Sequence, residues 1–332
     1  MNWLERYWYR SSPMGIVLYL PSLLFHLVVA LRRSLYRAGL FSTAKLPVPV
    51  IVVGNITVGG TGKTPLVLWL ADFLREHGMR PGIISRGYGG RVGPPQCVTA
   101  ASDPATCGDE PLLLAQHSAA PVWVGTDRAA TARALLGANP DCDVIVSDDG
   151  LQHYRLARNI EIAVVDGARG VGNGLMLPAG PLREPPSRLN TVDAIIINVS
   201  QSAAVGIRTR APAAFAMALQ DRGFYNLLHP DRRAPPERFR NRRVHAVAGI
   251  GNPQRFFDTL QRLGIAFAAH PFPDHHAFSA RDLEFADADF IVMTEKDAVK
   301  CRSFASEKHW VLRVDAEIDS DFGELIMKKL GK

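Results

Sequence analysis

The sequence predicts an α/β fold with a mostly parallel sheet covered by helices on both faces. Three observations carry that prediction. Val50-Ile51-Val52-Val53 is an unbroken apolar run, as expected of a strand buried on both sides. A glycine-rich stretch, Thr57 to Thr64, separates this run from a helical pattern. Apolar runs of strand length then alternate with helical segments through the rest of the chain.

The chain has 332 residues, 47% of them hydrophobic and 21% charged, which excludes a disordered composition. Its net charge of +6 favours anionic partners, whether nucleotides, phosphorylated substrates, anionic lipid or nucleic acid, without choosing among them. The cysteines Cys97, Cys107, Cys142 and Cys301 form no CxxC pair and have no His at metal-finger spacing. Neither a zinc site nor a disulfide framework is expected, and a reducing compartment suits the chain better.

No Asp, Glu, Lys or Arg interrupts the stretch between Arg10 and Arg32. A helix of roughly 20 residues there would be about 30 Å long, near the hydrocarbon thickness of a bilayer. Trp3, Trp8 and Tyr9 precede it, as interfacial aromatics would, and Arg32, Arg33 and Arg37 follow it. Pro21, Ser22 and His26 weaken a spanning reading. A single span, a helix lying in the interface and a core helix all remain open. If the helix spans, the arginines place the following body on the cytoplasmic side.

Past this helix, Pro47–Val53 reads as the first strand and Leu66–Leu74 as the first helix of the body. Strands are expected at Pro81–Ser85, Pro121–Val124, Val144–Val146, Ile160–Val165 and Ala194–Ile197. From Asp221 to Arg243 the texture turns to Pro, Arg and Asn. A second α/β pattern follows, with strands at Arg243–Ile250 and Phe290–Met293 around a helix near Pro253–Leu263. The expected organisation is an N-terminal membrane-associated helix over 1–40, a core over 41–222, a linker over 223–243 and a smaller α/β lobe over 244–332.

Thr57-Val58-Gly59-Gly60-Thr61-Gly62-Lys63-Thr64 has the chemistry of a phosphate-binding loop, and makes the core P-loop NTPase-like. Consecutive glycines let backbone N–H groups turn toward phosphate oxygens. Lys63 supplies a cation for the β- and γ-phosphates, and Thr64 a hydroxyl for Mg²⁺. The usual pattern begins with Gly where this chain has Thr57. A plain Gly-rich turn with a surface lysine is the competing reading, and the strand–loop–helix setting disfavours it.

Val144-Ile145-Val146-Ser147-Asp148-Asp149 is an apolar strand ending in carboxylates, the arrangement a Walker-B metal site needs. Alone it could equally be a strand leading into a turn. Gly108-Asp109-Glu110-Pro111 is a helix start on physical grounds. His275, in Phe272-Pro273-Asp274-His275-His276, is of a type that accepts a proton near neutral pH, although a loop His is more often only a surface residue. Leu177 to Pro185 is a proline-stiffened loop that presents Arg183 and Glu184. Arg183 could stabilise phosphoryl charge and Glu184 could join a metal shell, or the two could be an exposed ion pair.

Taken together and in this order, these stretches resemble the tetraacyldisaccharide 4′-kinase family. Also matching are Val53 to Pro65, Ser85-Arg86-Gly87-Tyr88-Gly89, Asp148-Asp149-Gly150-Leu151-Gln152-His153 and Thr294 to Cys301. The resemblance covers nearly the whole chain, and Thr57 is itself a habit of the family. It implies transfer of the γ-phosphate of ATP, with Mg²⁺, to the 4′-hydroxyl of a tetraacylated disaccharide 1-phosphate to give lipid IVA, at the cytoplasmic face of the bacterial inner membrane. Its partners would be the lipid substrate and the membrane surface, and not nucleic acid. Asp109 and His275 would form the dyad that deprotonates the sugar hydroxyl, with Lys63 and Arg183 on the phosphates. Thr64, Asp149 and Glu184 would serve the metal, with Asp148 and Gln152 beside them. The distance in sequence between His275 and the loop suggests that two lobes close over ATP to assemble the dyad.

The alternative from another class is a membrane-associated P-loop GTPase acting as a switch or assembly factor. Thr294-Glu295-Lys296-Asp297 is a loose mimic of the guanine-reading motif but lacks its Asn. A dinucleotide enzyme is weaker still, because Gly249-Ile250-Gly251 lacks the third glycine.

Overall fold

The structure, a computed structural model, describes residues 8–9, 17–199 and 213–332. Trp3 and the Met14–Ile16 part of the expected apolar helix lie outside the described residues. The first helix is α1, Tyr19–Arg37. The core then runs β1 (Val50–Gly54), α2 (Lys63–Glu76), β2 (Pro81–Ser85), β3 (Gln96–Val98), the short α3 (Pro104–Cys107), α4 (Asp109–His117), β4 (Val122–Val124), α5 (Arg128–Ala138), β5 (Val144–Ser147), β6 (Ile160–Asp166), β7 (Ala194–Val199) and β8 (Ala214–Asn226). The C-terminal part adds β9 (Arg233–Ala234), β10 (Val244–Ala248), α6 (Pro253–Arg262), β11 (Phe267–Pro271), β12 (Phe290–Thr294), α7 (Glu295–Cys301), β13 (His309–Ile318) and α8 (Ser320–Leu330).

All these strands join one sheet in the order β11-β10-β12-β13-β8-β7-β6-β1-β5-β2-β4-β3, with β9 on β8. Pairing is parallel within each half, from β10 to β13 and from β7 to β4. The antiparallel pair β8–β13 joins the halves. Burial explains the unbroken apolar runs. Ile51 and Val53 face a core built with α2 and α4, while Val50 and Val52 face a core under α1 and α5. Strands covered on both sides have no polar face to alternate with.

Three expectations change here. The segment 223–243 does not open as a linker: β8 runs through residue 222 to Asn226, and its pairing with β13 makes Phe224 and Tyr225 part of the sheet. The N-terminal helix also departs from the single-span reading as far as it is described. Among the described residues no helix is long and apolar enough to cross a membrane. Instead α1 lies along the body. Phe25 and Val29 pack on the core, Ser22 Oγ donates to Met176 O at 2.8 Å, and Arg33 donates to Thr191 at 2.8 Å. Its other face is open, with Leu20 74% and Leu24 64% exposed. Trp8 is not an interfacial aromatic either. It is buried, and its indole N–H donates to Pro178 O at 3.0 Å.

One buried carboxylate yields a stability prediction. Burial raises the pKa of Glu295, at the start of α7, to about 7. His117 Nε2 lies 3.3 Å away, but burial lowers its pKa and favours the neutral ring, so it does not supply a full counter-charge. The unfolded chain therefore ionises first as pH rises, and stability is lost between about pH 4.5 and 7. Glu295→Gln is expected to raise the thermal midpoint at pH 8 by several degrees and to leave it unchanged at pH 4, in melts followed by circular dichroism.

Candidate active site

The phosphate loop stands between the C-terminal edge of β1 and the first turn of α2. Gly62 has φ 93°, and a Cβ there would lie 2.2 Å from Asn198 Nδ2, so the position admits only glycine. The same Asn198 amide donates to Thr61 O at 2.9 Å. Val58 N donates to Pro181 O at 2.8 Å and Thr57 bridges to Leu182, so the proline-stiffened loop braces the phosphate loop from the side. From across the sheet, Gly251 closes against Gly60. A Cβ on Gly251 would come within 2.4 Å of Gly60 N. The Gly249–Gly251 turn, which reads as a poor dinucleotide motif, is thus a wall of the phosphate loop. Arg169 fastens it by donating to Gly251 O at 2.9 Å.

Lys63 Nζ, almost buried, lies 3.6 Å from Asp149 Oδ1 and 3.3 Å from Asn55 Oδ1. Asp149 sits at φ 45°, an uncommon backbone state for a non-glycine residue and one that clusters at functional sites. Arg128 holds that turn, its buried guanidinium donating to Asp148 O at 2.6 Å and Asp149 O at 2.7 Å. Burial lowers the pKa of Arg128 to about 10, still charged at neutral pH. Arg183 grips the Asp149 carboxylate with two bonds of 3.1 and 2.9 Å, and its Nη2 also donates to Asn55 Oδ1. Burial alone would raise the pKa of Asp149, but Lys63 and Arg183 outweigh it and hold the carboxyl far below its ordinary value.

Asp148 behaves differently. Ser85 Oγ donates to its Oδ2 at 3.1 Å, while its buried Oδ1 has no partner. Burial, with the neighbouring charges of Glu110 and Asp149, pushes its pKa up to about 7. A buried carboxylate oxygen without a donor, among other carboxylates, fits a cation. Glu184 is placed otherwise. It is fully buried, its oxygens accept from Gln152 Nε2 at 2.7 Å and Tyr154 Oη at 2.5 Å, and the Arg188 guanidinium pairs with it by charge at 3.2 Å. Gln152 also donates to Asn55 O at 3.1 Å. Glu184 and Gln152 are held as a frame beneath Asn55, and direct metal contact by Glu184 would require one of these bonds to be given up.

The residues expected to form a dyad are together. His275 Nδ1 lies 3.0 and 3.1 Å from the Asp109 oxygens. Asp109 opens α4 behind Gly108 and is buried, and His275 sits at φ 59°, a second left-handed residue in the site. Burial disfavours the imidazolium, but the hydrogen bond that the ring donates to Asp109 outweighs it and raises the pKa of His275. Burial likewise disfavours the Asp109 carboxylate, yet the bond from His275 and the charges of Lys296 and Lys300 lower its pKa. Lys296 Nζ completes the cluster at 2.9 Å from Glu110, 3.2 Å from Asp274 and 3.3 Å from His275 Nε2. With Lys296 donating to Nε2, the proton belongs on Nδ1, facing Asp109. Glu110 and Lys296 also line a cavity of about 240 Å³ with Gly60 to Pro65, which continues past Leu219, Leu312 and Val314 as an apolar slot.

Asn55, Arg128, Asn198, Gly251 and Lys296 were not singled out as site residues in the sequence. Asn55 and Lys296 fall inside stretches that carry the family resemblance; the others have no local signal. The GTPase alternative loses its ground. Asp297, where a guanine-reading aspartate would stand, is fully buried and accepts from Thr294 Oγ1 at 2.7 Å, Gly249 N at 3.0 Å and Lys300 at 2.8 Å.

A phosphate loop braced from two sides, a carboxylate at the end of the neighbouring strand and an Asp–His pair joined to the loop's cleft through Lys296 define a P-loop phosphotransferase. Comparison with known proteins makes this particular. A profile of the family described as Tetraacyldisaccharide-1-P 4′-kinase matches residues 14–331, and the chain belongs to that family. It is 55% identical over 324 residues to the tetraacyldisaccharide 4′-kinase of Azoarcus sp. (strain BH72), covering 98% of this chain and 94% of the relative. It is 51% identical over 329 residues to that of Methylobacillus flagellatus, covering 99% and 96%. Among solved structures, LpxK from Aquifex aeolicus in complex with ATP superposes with a TM-score of 0.81 at 29% identity, covering 96% of this chain and 99% of that one.

Proposed function

We propose that this chain transfers the γ-phosphate of ATP to the 4′-hydroxyl of a tetraacylated disaccharide 1-phosphate, giving lipid IVA. The observation that carries the reading is the Asp109–His275 pair, joined through Lys296 to a cleft that also holds Lys63. ATP places its triphosphate on Gly59 to Thr64, with the base in the apolar slot beside Leu312 and Val314. Lys63 turns from Asp149 to the phosphates, and Arg183 fixes Asp149 as it does so. His275 Nε2 takes the hydroxyl proton in place of the bond from Lys296, and Asp109 holds the ring and steadies the imidazolium. The cluster of Lys296, Glu110 and Asp274 keeps a cation beside the transferring group.

Mg²⁺ would be held by the Thr64 hydroxyl and the open oxygen of Asp148, with Asp149, Gln152 and Glu184 as supporting residues. When bound, it would neutralise charge on the β- and γ-phosphate oxygens.

The open face of α1 suits a membrane surface. Leu20, Leu23, Leu24, Leu27, Val28 and Leu31 form one exposed apolar strip, and Arg32 and Arg37 stand at its end. This face would hold the body at the cytoplasmic side of the inner membrane, where an acylated acceptor presents its sugar. Replacing Leu24, Leu27 and Leu31 together by Glu is expected to abolish flotation with anionic vesicles while leaving the melting midpoint nearly unchanged. Unaltered flotation would place the membrane contact elsewhere.

The function itself is tested by incubating the purified chain with labelled ATP and the disaccharide 1-phosphate in mixed micelles. A bisphosphorylated lipid that forms only with acceptor present is the expected result. ATP hydrolysis at the same rate without acceptor, and no lipid product, would overturn it.

A further inference from the structure

We infer that Tyr154 is a positioning residue for the phosphate site, and that it links the seat of α1 on the body to Glu184; this rests on the proposed kinase reading and on α1 meeting the membrane. Nothing in the preceding mechanism uses Tyr154, yet it stands where two systems meet. On one side its hydroxyl donates to Glu184 Oε2 at 2.5 Å. The other Glu184 oxygen accepts from Gln152, whose amide also reaches Asn55 O, and Asn55 Oδ1 is shared by Lys63 and Arg183. Three residues therefore separate the Tyr154 hydroxyl from the lysine that meets the phosphates. A fully buried carboxylate that loses a donor must recruit another group or move.

On the other side, the Tyr154 ring is covered by α1. The Arg32 guanidinium lies 5.5 Å from its centroid and the Tyr36 ring 5.8 Å, while Arg158 stacks at 5.7 Å. A second route runs parallel. Arg33 of α1 donates to Thr191, Thr191 accepts from Arg188 at 2.8 Å, and Arg188 lies 3.2 Å from the same Glu184 oxygen. Both routes begin on the last turns of the helix whose opposite face is apolar and open, and both end on one carboxylate. A shift of α1 on the body thus moves the groups that orient Glu184, and through Gln152 and Asn55 the groups that orient Lys63 and Arg183. The linkage needs no new bond, only that the ring and hydroxyl of Tyr154 move as one rigid unit.

The test separates the hydroxyl from the ring. Tyr154→Phe keeps the contacts with Arg32 and Tyr36 and removes the donor to Glu184. Its kcat is expected to fall about tenfold, with KM for ATP within about twofold, because Lys63 and Arg183 remain present to hold the nucleotide and only their orientation toward the transferred phosphate is loosened. Arg32→Gln, an exposed change that leaves the hydroxyl in place, should lower kcat about threefold, and the double variant should be no worse than Tyr154→Phe. The thermal shift that MgATP gives each variant supplies a readout independent of the lipid, and Tyr154→Phe should need more Mg²⁺ to reach half of it. Wild-type kcat and an unchanged Mg²⁺ requirement in Tyr154→Phe would overturn the positioning role, and losses that multiply in the double variant would overturn the link. If Tyr154→Phe does not fold, Arg32→Gln with Tyr36→Leu carries the same test on the surface, and an unchanged kcat overturns the link. A wild-type chain that makes no lipid product counts against the kinase reading instead, and the Mg²⁺ requirement still decides the role of Tyr154.

Discussion

His275→Ala is expected to lower kcat for phosphate transfer by about 10²–10³-fold and to leave KM for ATP within about twofold, in steady-state assays with saturating lipid acceptor. The imidazole touches neither the phosphate loop nor the apolar slot; its partners are Asp109, Asp274 and Lys296. Its removal therefore costs the transition state and not the nucleotide. Asp109→Ala should cost nearly as much, because without that carboxylate the ring loses both its tautomer and its orientation. The double variant should be little worse than either single one, since the pair acts as a unit, and multiplying losses would mean separate roles.

The same pair sets a pH dependence. His275 must be neutral to accept a proton. Burial disfavours its charged form, but Asp109 more than compensates, so its pKa lies above the ordinary value. Activity is then lost as pH falls through a point higher than an exposed histidine would give. In Asp109→Asn the raising partner is gone, while burial and Lys296 still disfavour the imidazolium. The acid limb of kcat/KM should move to lower pH even as the plateau drops. A limb that stays in place would assign it to another group.

The parts of the site legible in the sequence are those whose geometry is local. A buried strand, consecutive glycines and a helix start dictate a phosphate loop wherever they occur together, so Thr57 to Thr64 could be read directly, and Asp148-Asp149 followed from the strand before them. Asp109 and His275 were legible only through resemblance, because 166 positions separate them and either alone reads as a helix start or a loop residue. Asn198, Gly251 and Arg128 were not legible at all. Each acts through a backbone group distant in sequence, namely Thr61 O, Gly60 N and the carbonyls of Asp148 and Asp149. The boundary near residue 222 was misplaced for a similar reason. Gln220-Asp221-Arg222-Gly223 has turn-like composition, but pairing with β13 makes it strand. The N-terminal helix divided its apolar residues between two surroundings that hydropathy cannot distinguish, the core under Phe25 and Val29 and the open face at Leu20 and Leu24.

Lys63→Met is expected to lower kcat/KM for ATP by about 10²-fold or more and to abolish the thermal shift that MgATP gives the wild-type chain. Lys63 and Arg183 now share one carboxylate, Asp149, and both hold it ionised. They are not equivalent. Arg183 binds it through two hydrogen bonds, whereas Lys63 stands 3.6 Å away as a point charge. A triphosphate carries more charge than Asp149 and competes for the looser partner, so Lys63 can leave while Arg183 keeps the carboxylate paired. The site thus changes partners while the half-buried carboxylate stays paired at every stage. Lys63→Arg should fail to rescue binding despite retaining the charge. The loop is pinned by Asn198 at Thr61 and by Gly251 at Gly60, so it cannot shift to re-aim a planar fork, and a guanidinium would bind Asp149 as firmly as Arg183 does. Nucleotide affinity restored by arginine would show that charge alone suffices there; affinity lost in both variants would show that the loop needs a cation able to let go.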